Sequence, residues 1–407
     1  NASLFRSFSS DPNPCGQGIN EEKADQFFSP KSFKSRKQDH FPGSYAISSK
    51  ELKFSTNNNF KIDVNFFNTL KNNSIQTLFN VDCLSIYISK SFKISCRFYD
   101  QIIQLPKIIK IRNWYKIELE FNSLEKTLAL KQTDIKNSSL EFKQKIKINK
   151  IPKFVTGKVF ISAEMAEKNV SNFFNGKIEN PSILIAEKKD VFKTLVRWDF
   201  SKSIPSSVIS DLSKNKINLN IINFPTRGVT GSKWDGSEMS WKHCPDHYTA
   251  IHFHEDDIYD FEWKTDFEFK VPKEMPSGIF VMRLVCGKYE DNIPFFVCPP
   301  KNKNTSDLCV IIPTFTYSVY GNHARPDYKE SWQEKIKLWK AYPYNPAEFK
   351  SYGLSTYNFH SDGSGICHAS YLRPLLNLKV GYLTFGMSNC SGLRHFQADS
   401  HLISWLN

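Results

Sequence analysis

Nine of the ten histidines in this 407-residue chain lie beyond residue 242, and six of them fall among acids and tyrosines in three groups. The first holds His243, His247, His252 and His254 with Glu255, Asp256 and Asp257. If this stretch is extended, His252 and His254 share one strand face and offer two imidazole nitrogens to a metal. No third ligand stands at a fixed spacing from them, so the text favours a polar surface between domains over a metal site. The second group lies in 313–325, where Tyr317, Tyr320, Asn322, His323 and Arg325 follow a short apolar run. Open α/β sheets place their ligand crevices at the carboxyl ends of such strands. The third is 352–365, which sets Tyr357, His360 and Asp362 among three glycines, with Arg373 shortly after it. A loop this polar, with glycines that allow close backbone approach, reads as a binding loop; the competing reading is a hydrogen-bonded turn network. His323, His360 and Asp362 are the candidates for catalytic proton transfer. Tyr317, Asn322, Arg325 and Arg373 are the candidates for lining a substrate.

The elements that must hold these groups are mostly strands. Residues 1–38 read as an extended lead-in rich in Ser, Lys, Asn and Pro. Residues 39–195 are short alternating stretches, such as 60–66, 84–88, 114–121 and 158–162, whose length and spacing imply an antiparallel sandwich. The Asn175-Gly176 pair suits a tight turn. Residues 196–300 read as a second β-sandwich module ending at Pro299-Pro300, with a Lys/Asn linker after it. The periodicity then changes. The run 308–313 reads as a buried parallel strand, and 328–341 as a helix with Trp332, Ile336 and Trp339 on one face. Residues 378–384 read as another buried strand, and 391 onward as helix. Thus 305–407 reads as the opening of an α/β domain, incomplete at this length.

Composition narrows the function. The formal charge is +13, but the basic residues are mostly lysines dispersed through strand text. Lys145 and Lys147 alternate with Ile146 and Ile148, as on a solvated sheet face. No arginine cluster with interleaved aromatics and no nucleic-acid module is present, so nucleic acid is not an expected partner. Nine scattered cysteines without a CxxC pair suggest reduced thiols in a cytoplasmic protein. No apolar run approaches the roughly 18 residues of a membrane span. The chain opens without Met and without a signal-peptide pattern, and it reads as a fragment at both ends.

Two resemblances sharpen this. The strand opening at Trp114-Tyr115 and the late segment FNGKI (174–178) resemble the laminin-G/concanavalin-like jelly roll, in which sugar binding and plain packing are both known roles. More specifically, PTFTYSVYGNHAR (313–325) and YGLSTYNFHSDGSG (352–365), with SYLRP after the latter, resemble motifs of the N,N-dimethylformamidase large (beta) subunit family. So do NFPTRGVTGSKWDG, HYTAIHFHEDDIYDFEWKTDF and SGIFVMRLVCGKYEDNIPFFVCPP, and the similarity spans 40–407. The family implies a jelly-roll and β-sandwich front end, then a glutamine-amidotransferase-like α/β domain. It implies hydrolysis of small amides at a mononuclear iron held by two tyrosinates and a glutamate. By motif the tyrosines are Tyr320 and Tyr357, with Tyr317 the alternative to Tyr320. The family's glutamate lies in an HPEY-like motif that is absent from this sequence, so the chain by itself is expected to bind iron poorly and to be inactive. A small accessory subunit and a homo-oligomer follow by analogy. Two other readings stay open: a carbohydrate-binding sandwich without catalysis, and a Cys-His hydrolase using Cys367-His368 or Cys390 with His395.

Overall fold

The computed structural model describes residues 5–8, 42–166, 169–188, 191–262, 265, 267–287, 289–303, 305–324, 330–339, 341–342, 345–379, 381–384 and 392–406. The lead-in, apart from the strand Phe5–Phe8, lies outside them. The chain divides into two units. One is 43–257 together with 360–364, and the other is 258–359 and 365–407 with the N-terminal segment.

The first unit is a sandwich of two antiparallel sheets. In one sheet the order is Val208–Ile209, Leu219–Ile222, Tyr45–Ser48, Val159–Ile161, Gln76–Val81, Leu84–Ile88, Lys93–Phe98, Gln101–Ile108. In the other it is Glu141–Lys147, Thr127–Asp134, Trp114–Asn122, Asn59–Asn68, Gly176–Lys188, Ala250–Phe253, Thr226–Val229, with Val191–Arg197 also paired to Gly176–Lys188. Strand Asn59–Asn68 shows why. Its residues alternate buried and half-buried along the whole length, with Phe60, Ile62, Val64 and Phe66 facing inward. Period-two alternation buries one face of a strand and leaves the other to water. Phe60 and Phe121 from one sheet meet Phe98 from the other, with ring centroids 5.0–6.0 Å apart. The lysines of the edge strand Glu141–Lys147 are exposed while Ile146 packs on the core. That charged edge discourages pairing with another chain.

Two expectations change here. Residues 196–257 do not form a second sandwich. Their strands Val208–Ile209, Leu219–Ile222, Thr226–Val229 and Ala250–Phe253 extend the same two sheets, because Tyr45–Ser48 and Gly176–Lys188 would otherwise carry unpaired backbone edges. The unit boundary falls after Asp257. Nor does Gly176 serve a hairpin turn. It opens the strand Gly176–Lys188 at φ +143°, where an added Cβ would lie 2.2 Å from the Phe67 carbonyl oxygen. The glycine is needed for close approach of two backbones.

Among its described residues the second unit holds the hairpin Gly278–Cys286 with Tyr289–Val297, the strand pair Phe5–Phe8 with Phe267–Lys270, and three α-helices. These are α1 (Thr314–Val319), α2 (Glu330–Trp339) and α3 (Phe396–Leu406). Helix α2 buries Trp332 and Ile336 against Ala341 and Leu383, while Trp339 is exposed. Phe261, Tyr342, Phe349, Tyr352, Leu376 and Tyr382 make a second small core. The run 308–313 is not a strand; Ile311 is 88% exposed. A parallel strand is stable only with paired edges and covered faces, and among the described residues nothing pairs with this run. Of the second expected strand, 378–384, one parallel bridge to Tyr342 from Tyr382 is present.

Two substitutions test the sandwich by urea denaturation. Phe121→Ala should lower stability by roughly 3–5 kcal/mol through the cavity it leaves. Gly176→Ala should cost about 1–3 kcal/mol through backbone strain and the clash with Phe67.

Candidate functional site

Chemistry-bearing residues gather in two places, one in each unit. In the sandwich unit, strand Ala250–Phe253 is pinned on one side by Gly176–Lys188, with His252 opposite Lys177. Ile251 and Phe253 enter the core, so the alternation sends His252, and His254 just beyond the strand end, to the other face. There the loop 360–364 meets them. His252 Nε2 lies 3.1 Å from Asp362 Oδ2, and His254 Nε2 lies 3.8 Å from the same oxygen. Asp362 also accepts from Thr69 Oγ1 (2.5 Å) and from the Ser364 backbone N–H (2.8 Å) and hydroxyl (2.5 Å). His254 Nδ1 pairs with Asp257 Oδ2 at 3.0 Å, and that carboxylate is fixed by the Ser44 hydroxyl at 2.6 Å. His360 Nδ1 pairs with Asp256 at 2.7 Å, and its ring stacks on His254 with centroids 3.8 Å apart.

The electrostatics follow from that packing. Burial pushes His252 down to about 4, only partly opposed by its bond to Asp362. For Asp362 burial acts upward, but the hydrogen bonds from His252, Ser364 and Thr69 outweigh it and hold the carboxyl far below the usual range. Burial also disfavours a charged His360, yet the bond to Asp256 and the charges of Asp257, Asp256 and Asp362 raise it overall. Asp256 is correspondingly lowered, burial being outweighed by its bond to His360. His252, His254 and Asp362 are 8%, 1% and 8% exposed, so the cluster is buried. The third donor that sequence spacing could not supply comes from a loop 110 residues further on.

In the second unit the tyrosines converge. Thr356 bonds the Val319 carbonyl through its N–H (3.3 Å) and hydroxyl (3.2 Å), and Asn358 brackets Ala324 through both its amide groups. These ties bring Tyr320 and Tyr357 together: their rings stack with centroids 4.3 Å apart. A hydrogen bond to Tyr320 is the main reason the Tyr357 phenol is raised above its ordinary pKa. Arg394 lies over the Tyr320 ring at 4.9 Å and reaches its hydroxyl at 3.5 Å. His395 packs on Tyr320 at 4.3 Å, and its buried Nε2 has no hydrogen-bond partner among the described residues. Burial, then the Arg394 charge, lowers the His395 pKa. His323 stands with its ring 5.7 Å from Tyr320. An open cleft is lined by Tyr317, Tyr320, His323, Arg394 and His395, among others.

The other expected residues divide. Tyr317 lines the cleft but its hydroxyl is committed to Asp399, and burial with that bond raises its pKa. Asn322 and Arg373, expected to line a substrate, are instead buried braces. Asn322 is in the left-handed region at φ +58°, donates to the Gly353 and Pro374 carbonyls and accepts from the Leu376 N–H. Arg373 gives its guanidinium to the carbonyls of Ser370, Gly353, Leu354 and Gly321. A buried cation whose guanidinium is spent mainly on backbone carbonyls acts as a brace. Arg325 and Cys390 lie outside the described residues. Cys367 is exposed, and its thiol donates to the Gly365 carbonyl at 3.6 Å. The described cysteines 83, 96, 244, 298, 309 and 367 are all free. Arg394 and Asp399, which the sequence reading missed, had no signal beyond lying in text that resembled the start of a helix.

The larger unit thus defines a β-sandwich protein, to which the cleft-bearing unit is joined. Residues 226–407, which include both clusters, match the family described as N,N-dimethylformamidase beta subunit-like, C-terminal, and the chain is a relative of N,N-dimethylformamidase beta subunits. It is 30% identical over 334 residues to the N,N-dimethylformamidase beta subunit of Paracoccus aminophilus, covering 72% of this chain and 43% of that protein. It is 34% identical over 256 residues to the one from an Alcaligenes species, covering 58% and 33%. The chain therefore spans less than half the length of these relatives. Among solved structures, a putative carbohydrate binding protein from Bacteroides ovatus aligns at TM-score 0.33 and 11% identity, covering 45% of this chain and 58% of that one. Domains LG4-5 of the mouse laminin alpha1 chain align at TM-score 0.25 and 11% identity, covering 42% and 48%.

Asn322→Ala should unfasten the tyrosine cleft. The expected loss is roughly 2–4 kcal/mol of stability, since buried carbonyls of Gly353 and Pro374 lose their donor. Near-ultraviolet circular dichroism should show the tyrosine environment change while the far-ultraviolet sheet signal persists.

Proposed function

We propose that this chain forms part of an amide hydrolase of the N,N-dimethylformamidase type, acting on the C–N bond of small amides at the stacked Tyr320–Tyr357 pair, of which Tyr320 lines the cleft. The observation that carries this reading is the convergence of the two phenols beside Arg394 and His395, inside the segment that matches the family. The cleft is walled by aromatic rings with a few polar groups, as ligand sites commonly are.

Iron fits the donors present: two adjacent phenol oxygens are hard ligands, and a buried imidazole nitrogen without a partner faces the same aromatic group. Tyr320 and Tyr357 would hold the ion, which when bound supplies Lewis acidity toward an amide carbonyl or a water molecule. The chain's own residues do the rest. Arg394 lies over the Tyr320 ring and reaches its hydroxyl, where its charge can meet a ligand's carbonyl oxygen. His395 and His323, beside Tyr320, supply imidazole nitrogens for proton transfer to the departing amine. Aromatic walls limit the water that competes around the substrate. A glutamate ligand and the remainder of a glutamine-amidotransferase-like α/β domain belong to this proposal, as does an accessory subunit, which the relatives' designation as beta subunits suggests.

Iron-loaded protein should show a visible tyrosinate-to-iron charge-transfer band. Tyr320→Phe and Tyr357→Phe should each weaken or abolish it, while Tyr317→Phe, whose hydroxyl is held by Asp399, should leave it in place. A band that survives both of the first two substitutions, or no band in iron-loaded protein, contradicts the assignment.

A further inference from the structure

We propose that the sandwich unit carries a divalent-metal site of its own, of zinc type, held by His252 Nε2, His254 Nε2 and Asp362 Oδ2. The three atoms lie within 4.8 Å of one another, and the carboxylate oxygen is 3.1 and 3.8 Å from the two nitrogens. Ligands bound at the usual Zn–N and Zn–O lengths of about 2.0–2.1 Å in a tetrahedron stand roughly 3.3–3.4 Å apart. The observed separations bracket that edge. The donors are buried, and they come from two chain segments far apart in sequence, the strand Ala250–Phe253 with its end and the loop 360–364.

The surroundings resemble those of a prepared site. The other nitrogen of His254 is tied to Asp257, which the Ser44 hydroxyl holds in turn. A carboxylate on the far nitrogen of a ligating imidazole fixes its tautomer and turns the free lone pair toward the ion. Asp362 is oriented by Thr69 on one oxygen and Ser364 on the other. The Ser364 hydroxyl, 2.9 Å from His254 Nε2, stands where a fourth ligand or its water would be.

A second set, His254, Asp257 and His360, shares His254 but would require its Nδ1. It would consume the carboxylate that orients the first set and would leave none in that role. The first set is therefore the site. Two imidazoles with one carboxylate suit zinc and similar first-row divalent ions. The ion would fasten the loop 360–364 to the sandwich, a unit it joins although the chain on both sides belongs elsewhere. This inference does not depend on iron at the tyrosines.

The test uses the whole chain, stripped with chelator and titrated with Zn²⁺ or Co²⁺. One equivalent should bind, Co²⁺ should give the d–d bands of a four-coordinate nitrogen/oxygen site, and zinc should raise the melting temperature by several degrees. His254→Gln and Asp362→Asn should each weaken binding more than tenfold. Asp257→Asn, which touches only the orienting shell, should weaken it about 10–100-fold. The double variant Tyr320→Phe/Tyr357→Phe should bind zinc as the wild type does. Folded wild-type protein that retains no zinc, shows no Co²⁺ bands and gains no thermal stability overturns the proposal, as does loss of zinc binding in the tyrosine variant. The Co²⁺ spectrum of wild type decides the matter should the histidine and aspartate variants fail to fold.

Discussion

The strand Gly176–Lys188 cannot leave either of its backbone edges open in the interior of a sheet, and much of the molecule follows from how those edges are filled. Asn59–Asn68 takes one edge for most of its length; Ala250–Phe253 and Val191–Arg197 share the other. The first pairing begins at Gly176, the residue whose missing side chain lets the backbones approach. The second sets His252 against Lys177 and thereby fixes which face the histidines occupy. A slip of one residue would put His252 into the core and Ile251 outside it. The hydrophobic pattern of 250–253 therefore determines the polar cluster.

That cluster and the tyrosine cleft use burial differently. Around Asp362 the donors saturate a carboxylate and keep its negative charge, while burial keeps the proton off His252 despite that neighbour. Around Tyr320 the groups are less enclosed: Tyr357 is exposed, and the strongest influence on it is the neighbouring phenol. A saturated buried network rigidifies its surroundings. An open pair of phenols beside a cation and an uncommitted imidazole nitrogen suits exchange with a ligand.

Much of this was legible in the sequence. Alternation disclosed the strands of the sandwich, and 252 and 254 declared a shared face because period two is local information. The two tyrosine motifs were visible as polar, glycine-bearing loops, and their meeting is a product of Asn322, Thr356 and Asn358 closing short loops. What was not legible depends on distance along the chain. Asp362 joins His252 only after the fold returns the chain to the sandwich, so no spacing rule could pair them. Asn322 and Arg373 looked like ligand contacts since polar residues in loops usually face water; here they satisfy backbone carbonyls that would otherwise be buried unpaired. The run 308–313 misled by composition, since apolar text marks a buried strand only where neighbours exist to pair with it.

The relation to N,N-dimethylformamidase beta subunits rests on the sequence match, and the chemistry proposed for the chain rests on two phenols sharing one site. X-ray absorption at the iron edge addresses that most directly. Iron bound to this chain should show a first shell of oxygen and nitrogen neighbours that includes short phenolate oxygens, and the Tyr320→Phe/Tyr357→Phe variant should lose those short scatterers. An iron shell unchanged by the double substitution would contradict the account.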